Sequence, residues 1–300
     1  MSILAKFVSK ANLISYINYI QERDRVTQLR IDSKESDNEY FKHHPSTQNR
    51  RYMDRESQYF IRARNEYSGD NPITDALFHL IFRKYTTYTS VKSHFGDCPG
   101  NILSDGYVEE IATFICDEIS TPFTGAYLVP HRNKNFKTKV GGWLDIFRLF
   151  DFEEIQKIKT AEDTYHCLRK LPGLGAFLAM QFTAELGWLN ETLYGGNEFV
   201  VPGNGAERGL NKLGVPKSYQ PDAIKELVKL NLLGGSPWKP LTLMDIQNTF
   251  CEFDKYTRYY GGHDNGGRNK QKRKRKVKDR LPITEFLLTD KLKSEDYYKM

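Results

Sequence analysis

The chain has 300 residues, of which 39% are hydrophobic and 27% charged, with 18 Tyr, 18 Phe and a formal net charge of +6. That is the composition of a soluble globular protein long enough for one large domain or two closely packed ones, and its aromatic excess suits both burial and base stacking. Cys98, Cys116, Cys167 and Cys251 stand far apart, with no CxxC pair and no His at ligand spacing. A zinc site and a disulfide framework are thereby argued against, and the thiols read as reduced ones of a cytosol or nucleus.

The first twenty residues, MSILAKFVSKANLISYINYI, are interrupted by Lys6, Lys10 and Asn12, too often for the apolar region of a signal peptide, and no stretch reaches membrane length. Apolar residues at helical spacing predict a helix from Ile3 to Arg30, its polar end carrying Arg23, Arg25 and Arg30. Asp32 to Asp54 is polar and reads as a long surface loop. Helices are predicted over Arg55 to Tyr67 and over Pro72 to Ser93, the second with proline just inside its start. A loop from Gly96 to Gly106 precedes a helix from Tyr107 to Ile119, and TPFTGAYLVPHRNKNFKTKVGGW reads as a short hairpin or an irregular arm. Helices follow over Trp143 to Phe150, Phe152 to Lys159 and Ala161 to Lys170. No succession of period-2 segments appears, so the fold class is mainly α.

In LRKLPGLGAFLAMQFTAELGW a helix ending at Arg169 or Lys170 meets Leu-Pro-Gly-Leu-Gly and restarts at once. Leu171 and Leu174 would fill the crossing of the two helices, while Gly173 and Gly175 permit the tight turn and expose amides. This is the layout of a helix-hairpin-helix, about residues 161–188, which grips a DNA phosphate through Gly173, Leu174 and Gly175 with Lys170 beside them. A plain helix–helix turn in the core is the competing reading. Further on, FVVPGNGAERGLNKLG places Gly203 and Gly205 before a helix opening at Ala206, an arrangement suited to an anion but common at helix starts. A last helix runs from about Thr242 to Tyr260 and puts Glu252, Lys255 and Tyr256 on one face. The run RNKQKRKRKVKDR, Arg268 to Arg280, lies in a basic extension over 266–300 and reads equally as a solvated tail or a nucleic-acid contact.

Residues Tyr165 to Gly214 resemble the helix-hairpin-helix superfamily of DNA glycosylases. The resemblance implies a two-lobed helical fold over residues 1–265 that receives DNA in a cleft and extracts one nucleotide. Phe177 stands where lyase-type members carry lysine, and Gly203 or Asn204 where they carry the catalytic aspartate, which argues against ordinary N-glycosidic hydrolysis. Taken in order, ERDRVTQLR, FRKY, LPGLGAFLAMQFTAELGW, VPGNGAERGLNKL and LTLMDIQNTFCEFDKYTRY are similar to a narrower family. That family is the α-glutamyl/putrescinyl thymine pyrophosphorylases, or amino acid:DNA transferases, together with the helical domain of 5-hydroxymethyluracil DNA kinases.

The resemblance implies hypermodification of thymine, chiefly in bacteriophage DNA. An amino acid or polyamine amine displaces phosphate or pyrophosphate from an activated 5-hydroxymethyluracil. The sequence has no P-loop GxxxxGK[ST], so the transferase is expected rather than the kinase. Such a site must neutralise the leaving phosphate, deprotonate the amine and hold the base outside the stack. Arg208 is the leading phosphate ligand, and Asn204 a ligand for the uracil edge or the phosphate. Glu207 serves as base, amine binder or cap, and the family motif raises Glu252 and Lys255 to catalytic candidates. Gly203, Gly205, Arg25, Arg83, Lys84 and Tyr256 are expected to bind substrate or phosphate, and Arg23, which with Arg25, Arg83 and Lys84 falls in segments resembling family motifs, to line the same cleft or contact the duplex backbone. The partners implied are double-stranded DNA with modified uracil and a small amine donor, with no cofactor, metal or membrane. The location implied is cytoplasmic, the host's if phage-encoded, or nuclear in a eukaryote. An atypical glycosylase using Glu207 or Glu252, and a non-catalytic DNA-binding module, remain the alternatives.

Overall fold

The computed structural model describes residues 2–32, 34–44, 46–54, 56–58, 60, 79–96, 105–123, 139–149, 152–189, 198–236, 238 and 240–261. Among these residues there is no strand. Contacts divide the chain into two units, Met1–Arg55 with Gly196–Met300, and Glu56–Gly195. Most of the predicted helix Arg55 to Tyr67, the start of the one at Pro72, the centre of the arm before Trp143 and the whole basic run lie outside the described residues.

In the first unit, the single helix expected from Ile3 to Arg30 is two, α1 (Ile3–Phe7) and α2 (Lys10–Ile31). Serine breaks it: the Ser2 hydroxyl accepts from the Ala5 amide and the Ser9 hydroxyl from the Asn12 amide, so each serine caps its own helix. The stretch Asp32 to Asp54 is not a surface loop. It contains α3 (Glu39–His43) and a 3₁₀ turn, Arg51–Met53, and it buries Tyr40, Phe41, Gln48, Asn49, Arg50, Arg51, Tyr52 and Met53. Its polarity misled because its side-chain and backbone polar groups find partners inside the protein. Thr27 Oγ1 donates to Gln48 Oε1 at 2.6 Å, Asn49 Nδ2 donates to the Ile20 carbonyl at 2.8 Å, and Arg51 N donates to Asp245 Oδ1 at 2.7 Å.

The second unit holds α4 (Tyr85–Phe95), α5 (Asp105–Glu118), α6 (Lys139–Phe147), α7 (Phe152–Lys157), α8 (Ala161–Arg169) and α9 (Ala176–Leu189). The helix expected through Ser93 is interrupted, because Arg83 takes φ 47° and Lys84 is extended, which ends one helical segment before α4 begins. Trp143, Phe147 and Phe182 form the aromatic centre, and the Trp143 indole donates to the Ile81 carbonyl at 2.6 Å. Between α8 and α9, Leu171 and Leu174 are buried and Gly173 takes φ 94°, as the tight turn requires.

The chain then supplies α10 (Asn204–Leu213), a 3₁₀ turn (Lys217–Tyr219), α11 (Gln220–Lys229) and α12 (Leu243–Tyr260) to the first unit. Helix α10 opens at Asn204, two residues earlier than expected, and ends at Gly214 with φ 99°. α12 begins with a reciprocal capping box between Thr242 and Asp245. The core joins Tyr16 and Ile20 of α2, Ala206 and Leu210 of α10, Ile224 and Leu227 of α11, and Ile246, Phe250 and Phe253 of α12.

Two glycines one turn apart set the approach of α10 to α12. A Cβ on Gly209 would strike the Phe250 carbonyl, with the carbonyl carbon at 2.9 Å, and one on Gly205 would strike the Cys251 sulfur. Backbone cannot retreat as a side chain can. Gly209→Ala is therefore expected to lower stability by about 1–3 kcal/mol through overpacking. Gly106→Ala, where a Cβ meets nothing within 4 Å, should leave the melting temperature unchanged or raised. Thermal unfolding followed by circular dichroism compares the two, and equal melting temperatures would remove the packing account.

Candidate active site

The buried face of α2 carries Tyr16, Tyr19, Arg23 and Thr27 at helical spacing, and that of α12 carries Asn248, Thr249 and Glu252. Phe250 brings the two helices together by stacking on Tyr16, with ring centroids 4.1 Å apart and planes at 3°. Tyr16 and Thr249 share a hydrogen bond between their hydroxyls. Burial raises the Tyr16 phenol well above its ordinary pKa, so it serves as a neutral structural group. Asn248 Nδ2 donates to Thr47 Oγ1 at 2.9 Å, and Arg23 Nη2 donates to the Thr47 carbonyl.

What remains unsatisfied in this cluster is its most informative property. Arg23, 2% exposed, has Nε and Nη1 buried without a hydrogen-bond partner among the described residues, and its guanidinium lies 5.5 Å from the centre of the Tyr19 ring. Glu252 is equally buried, and its Oε2 likewise has no partner, while the Tyr19 hydroxyl is a third buried orphan. Lys255 Nζ holds the other oxygen, Oε1, at 2.5 Å and is 42% exposed, which makes it the solvent-facing member of the pair. Burial works against the Lys255 ammonium, but the Glu252 carboxylate more than offsets it and raises the lysine pKa. Two buried, oppositely charged side chains each keep unused hydrogen-bonding capacity, an arrangement that is expensive unless something else completes it. An open depression of about 740 Å³ adjoins, lined by Ile14, Asn18, Tyr19, Glu22 and Tyr256.

A model of one family, described as 5-hmdU DNA kinase, helical domain, matches residues 11–263. The chain belongs to that family. Membership implies a role in the modification of 5-hydroxymethyluracil in DNA, within thymine hypermodification. Comparisons with curated proteins and with solved structures gave no match. The matched span contains the entire α2–α12 cluster as well as both glycines of the α10 seam.

Within this family member, Glu252, Lys255 and Tyr256 fall in or beside the cluster. Others that were expected at a site are placed apart from it. Glu207 pairs with Lys217 at 3.0 Å, and Arg208 pairs with Asp254 at 3.0 Å. Arg25 is held by Glu22 and Asp37 at the surface, whereas Arg23, two residues earlier, is the arginine that faces inward. Helical spacing could have chosen between them, because Arg23 continues the row of Tyr16, Tyr19 and Ile20 and Arg25 does not. Gly203 is the buried N-cap of α10, Asn204 is exposed with no side-chain bond among the described residues, and Gly205 lies against Cys251. Burial pushes the Cys251 thiol up, which suits packing rather than nucleophilic attack.

In the second unit Arg83 makes a two-pronged, buried ion pair with Glu185, and Lys84 donates to Thr121 Oγ1 at 2.6 Å. Beside them burial, reinforced by the Arg83 charge, lowers the His79 pKa to about 3, so this imidazole stays neutral. Gly175 is open, and Lys170 is exposed with Glu154 at 3.9 Å. The Leu174 and Gly175 amides are consumed inside the turn by the Leu171 and Gly173 carbonyls. Any anion at this turn would accordingly meet the first amides of α9 instead. Among the described residues, no group of three or more His, Cys, Asp or Glu is placed to hold a metal, and no helix is long and apolar enough to cross a membrane.

The sequence reading overlooked Asp254. This carboxylate, 1% exposed, accepts from Arg208, Lys212 and Arg258. Burial raises its pKa, but the hydrogen bonds from Lys212 and Arg208 and the nearby charges prevail and hold it below the ordinary 3.8. A carboxylate with a depressed folded pKa contributes stability above its unfolded value and loses it as pH falls through the folded one. Asp254→Asn should therefore lower stability by about 1–3 kcal/mol at pH 7. The variant's deficit should shrink as pH falls below about 4. Urea unfolding of both proteins from pH 7 to pH 3 reads the difference, and a deficit independent of pH would remove the charge argument.

Proposed function

We propose that the chain is a DNA thymine hypermodification enzyme that transfers an amine from an amino acid or polyamine onto 5-hydroxymethyluracil activated by phosphate or pyrophosphate in double-stranded DNA. The nitrogen lone pair forms a bond to the 5-methylene carbon, and the carbon–oxygen bond breaks with its electrons leaving on the phosphate or pyrophosphate. The ammonium proton passes to a base. Glu252 is that base in this reading: its Oε2 is unoccupied, and Lys255 on Oε1 is exposed enough to swing aside and admit the substrate. Arg23 offers two free donors to the oxygens of the base or of the leaving group. The depression beside Tyr19 and Tyr256 offers an aromatic wall for an extruded pyrimidine.

The observation that carries the reading is the pair of buried, incompletely partnered charges, Arg23 and Glu252, inside a chain of the 5-hmdU DNA kinase helical-domain family. A module that only grips DNA gains nothing from carrying them in its interior. The α8–α9 turn, with Gly173, Leu174, Gly175 and Lys170, is assigned in this reading to the DNA backbone as a helix-hairpin-helix of a glycosylase-type fold, the phosphate meeting the first amides of α9 because those of Leu174 and Gly175 are used within the turn. Support comes from the positive φ of Gly173, the buried leucines and the open flank at Gly175.

Duplex DNA bearing 5-phosphomethyl- or 5-pyrophosphomethyl-uracil, incubated with the protein and a mixture of amino acids and polyamines, should yield an amine-linked thymidine on nucleoside mass spectrometry. Release of free base would assign a glycosylase, and unchanged DNA under tight binding a non-catalytic module. Glu252→Gln should reduce product formation by about 10²–10⁴-fold, the usual contribution of a general base. Product formed at the wild-type rate would remove Glu252 from the mechanism.

A further inference from the structure

Three cations converge on one buried carboxylate along the α10–α12 seam. Asp254 Oδ2 receives Arg208 Nε at 3.0 Å and Arg258 Nη2 at 3.1 Å, and Oδ1 receives Lys212 Nζ at 2.9 Å. Lys212 Nζ also donates to the Asp254 carbonyl at 3.1 Å and to Thr257 Oγ1 at 2.5 Å, which fixes it in place. One negative charge against three positive leaves two in surplus. Neighbouring carboxylates do not absorb the excess, because Glu207 is engaged by Lys217 and Glu252 by Lys255.

A single cation would have sufficed to neutralise Asp254. The second and third add mutual repulsion, and Arg208 and Lys212, one turn apart on α10, form a like-charged pair of the kind that weakens a helix. Such an arrangement is stabilised when an outside anion completes it. The surplus also faces solvent, since Arg208, Lys212 and Arg258 have side chains 57%, 35% and 39% exposed. Arg208 uses only Nε, and among the described residues its Nη1 and Nη2 have no partner. Arg208 and Arg258 hold the same carboxylate oxygen, and Arg258 Nε also donates to the Asp254 carbonyl at 3.2 Å, so both guanidinium groups are tied to one point of the seam, and forked donors of this kind suit phosphate oxygens.

The geometry points to a phosphodiester-binding surface made of Arg208, Lys212 and Arg258, preorganised by Asp254, that grips the DNA backbone. The assignment rests on the DNA reading above and gives the first unit its own hold on the duplex. It is distinct from the candidate active site, because Asp254 lies two residues beyond Glu252, roughly 200° around the helix, and so projects from a different face of α12. An open surface of this kind suits a polyanion, which positions the protein without reading sequence. Enclosure would be expected of a pocket for a small leaving group.

The full chain and a fluorescent duplex without modified bases test this by anisotropy titration at 50–200 mM salt. Arg208→Ala/Arg258→Ala should bind at least about 10-fold more weakly at low salt, with the slope of log affinity against log salt reduced by about 2. Arg208→Lys/Arg258→Lys, which keeps both charges, should restore the slope. Circular dichroism and thermal unfolding on each variant confirm that the comparison is between folded proteins. An unchanged slope in the alanine variant, with DNA still bound, would overturn the surface while leaving the hypermodification reading in place. A wild-type chain with no affinity for DNA would overturn both. If the alanine variant loses inorganic pyrophosphate binding but keeps its DNA slope, the cluster is a small-anion site and the backbone assignment fails.

Discussion

At Gly209 the backbone of α10 comes so close to the Phe250 carbonyl that no side chain fits between them, and this approach sets where every other group on α12 can stand. With the seam closed, Arg208 and Lys212 reach Asp254 across it, while Phe250 is pressed against Tyr16 of α2. The face of α12 that carries Asn248, Thr249 and Glu252 is then committed to the interior. Two short sequence stretches, one rich in glycine and one rich in charge, are thus the two sides of a single contact.

Closing the seam brings a polar interior with it. Burying Arg23, Asn49, Arg50, Arg51, Asp245 and Glu252 in one unit is tolerable only because the chain supplies partners from the Thr47 to Asp54 segment and from the capping box of α12. Even so, burial raises the pKa of Asp245 despite its bonds from Arg51 and Thr242, a sign of how far desolvation reaches here. Arg23 and Glu252 matter against that background because they are opposite charges on the facing sides of α2 and α12, each with hydrogen-bonding capacity left over.

Helices with regular apolar spacing were legible in the sequence: α5, α8 and α12 lie within about two residues of expectation. The break before Ser9 and the burial of residues 47–54 were not, because capping serines look like ordinary polar residues and burial by mutual pairing leaves no periodicity. Of the residues in or beside the α2–α12 cluster, Glu252 and Lys255 were singled out by a motif and Tyr256 by its helical face. Arg23 required deciding which of two nearby arginines continued an apolar row, and Asp254 required knowing which helix would pack beside it. That last fact belongs to tertiary structure and cannot be read from either helix alone.

The Pro-Gly-Asn-Gly turn shows how such a gap redirects an interpretation. Glycines before a helix suggest a cradle for an anion, since the backbone can come close to a ligand there. In the folded chain the backbone does come close, but what Gly205 approaches is Cys251 on the neighbouring helix, with Gly209 repeating the contact one turn later. Gly205 is accounted for by helix packing, so its presence lends no separate support to a phosphate at the start of α10. In the proposed phosphodiester-binding surface the contribution of this stretch comes from its cations, Arg208 and Lys212, and the packing matters to it because Asp254 must be near enough to hold them together.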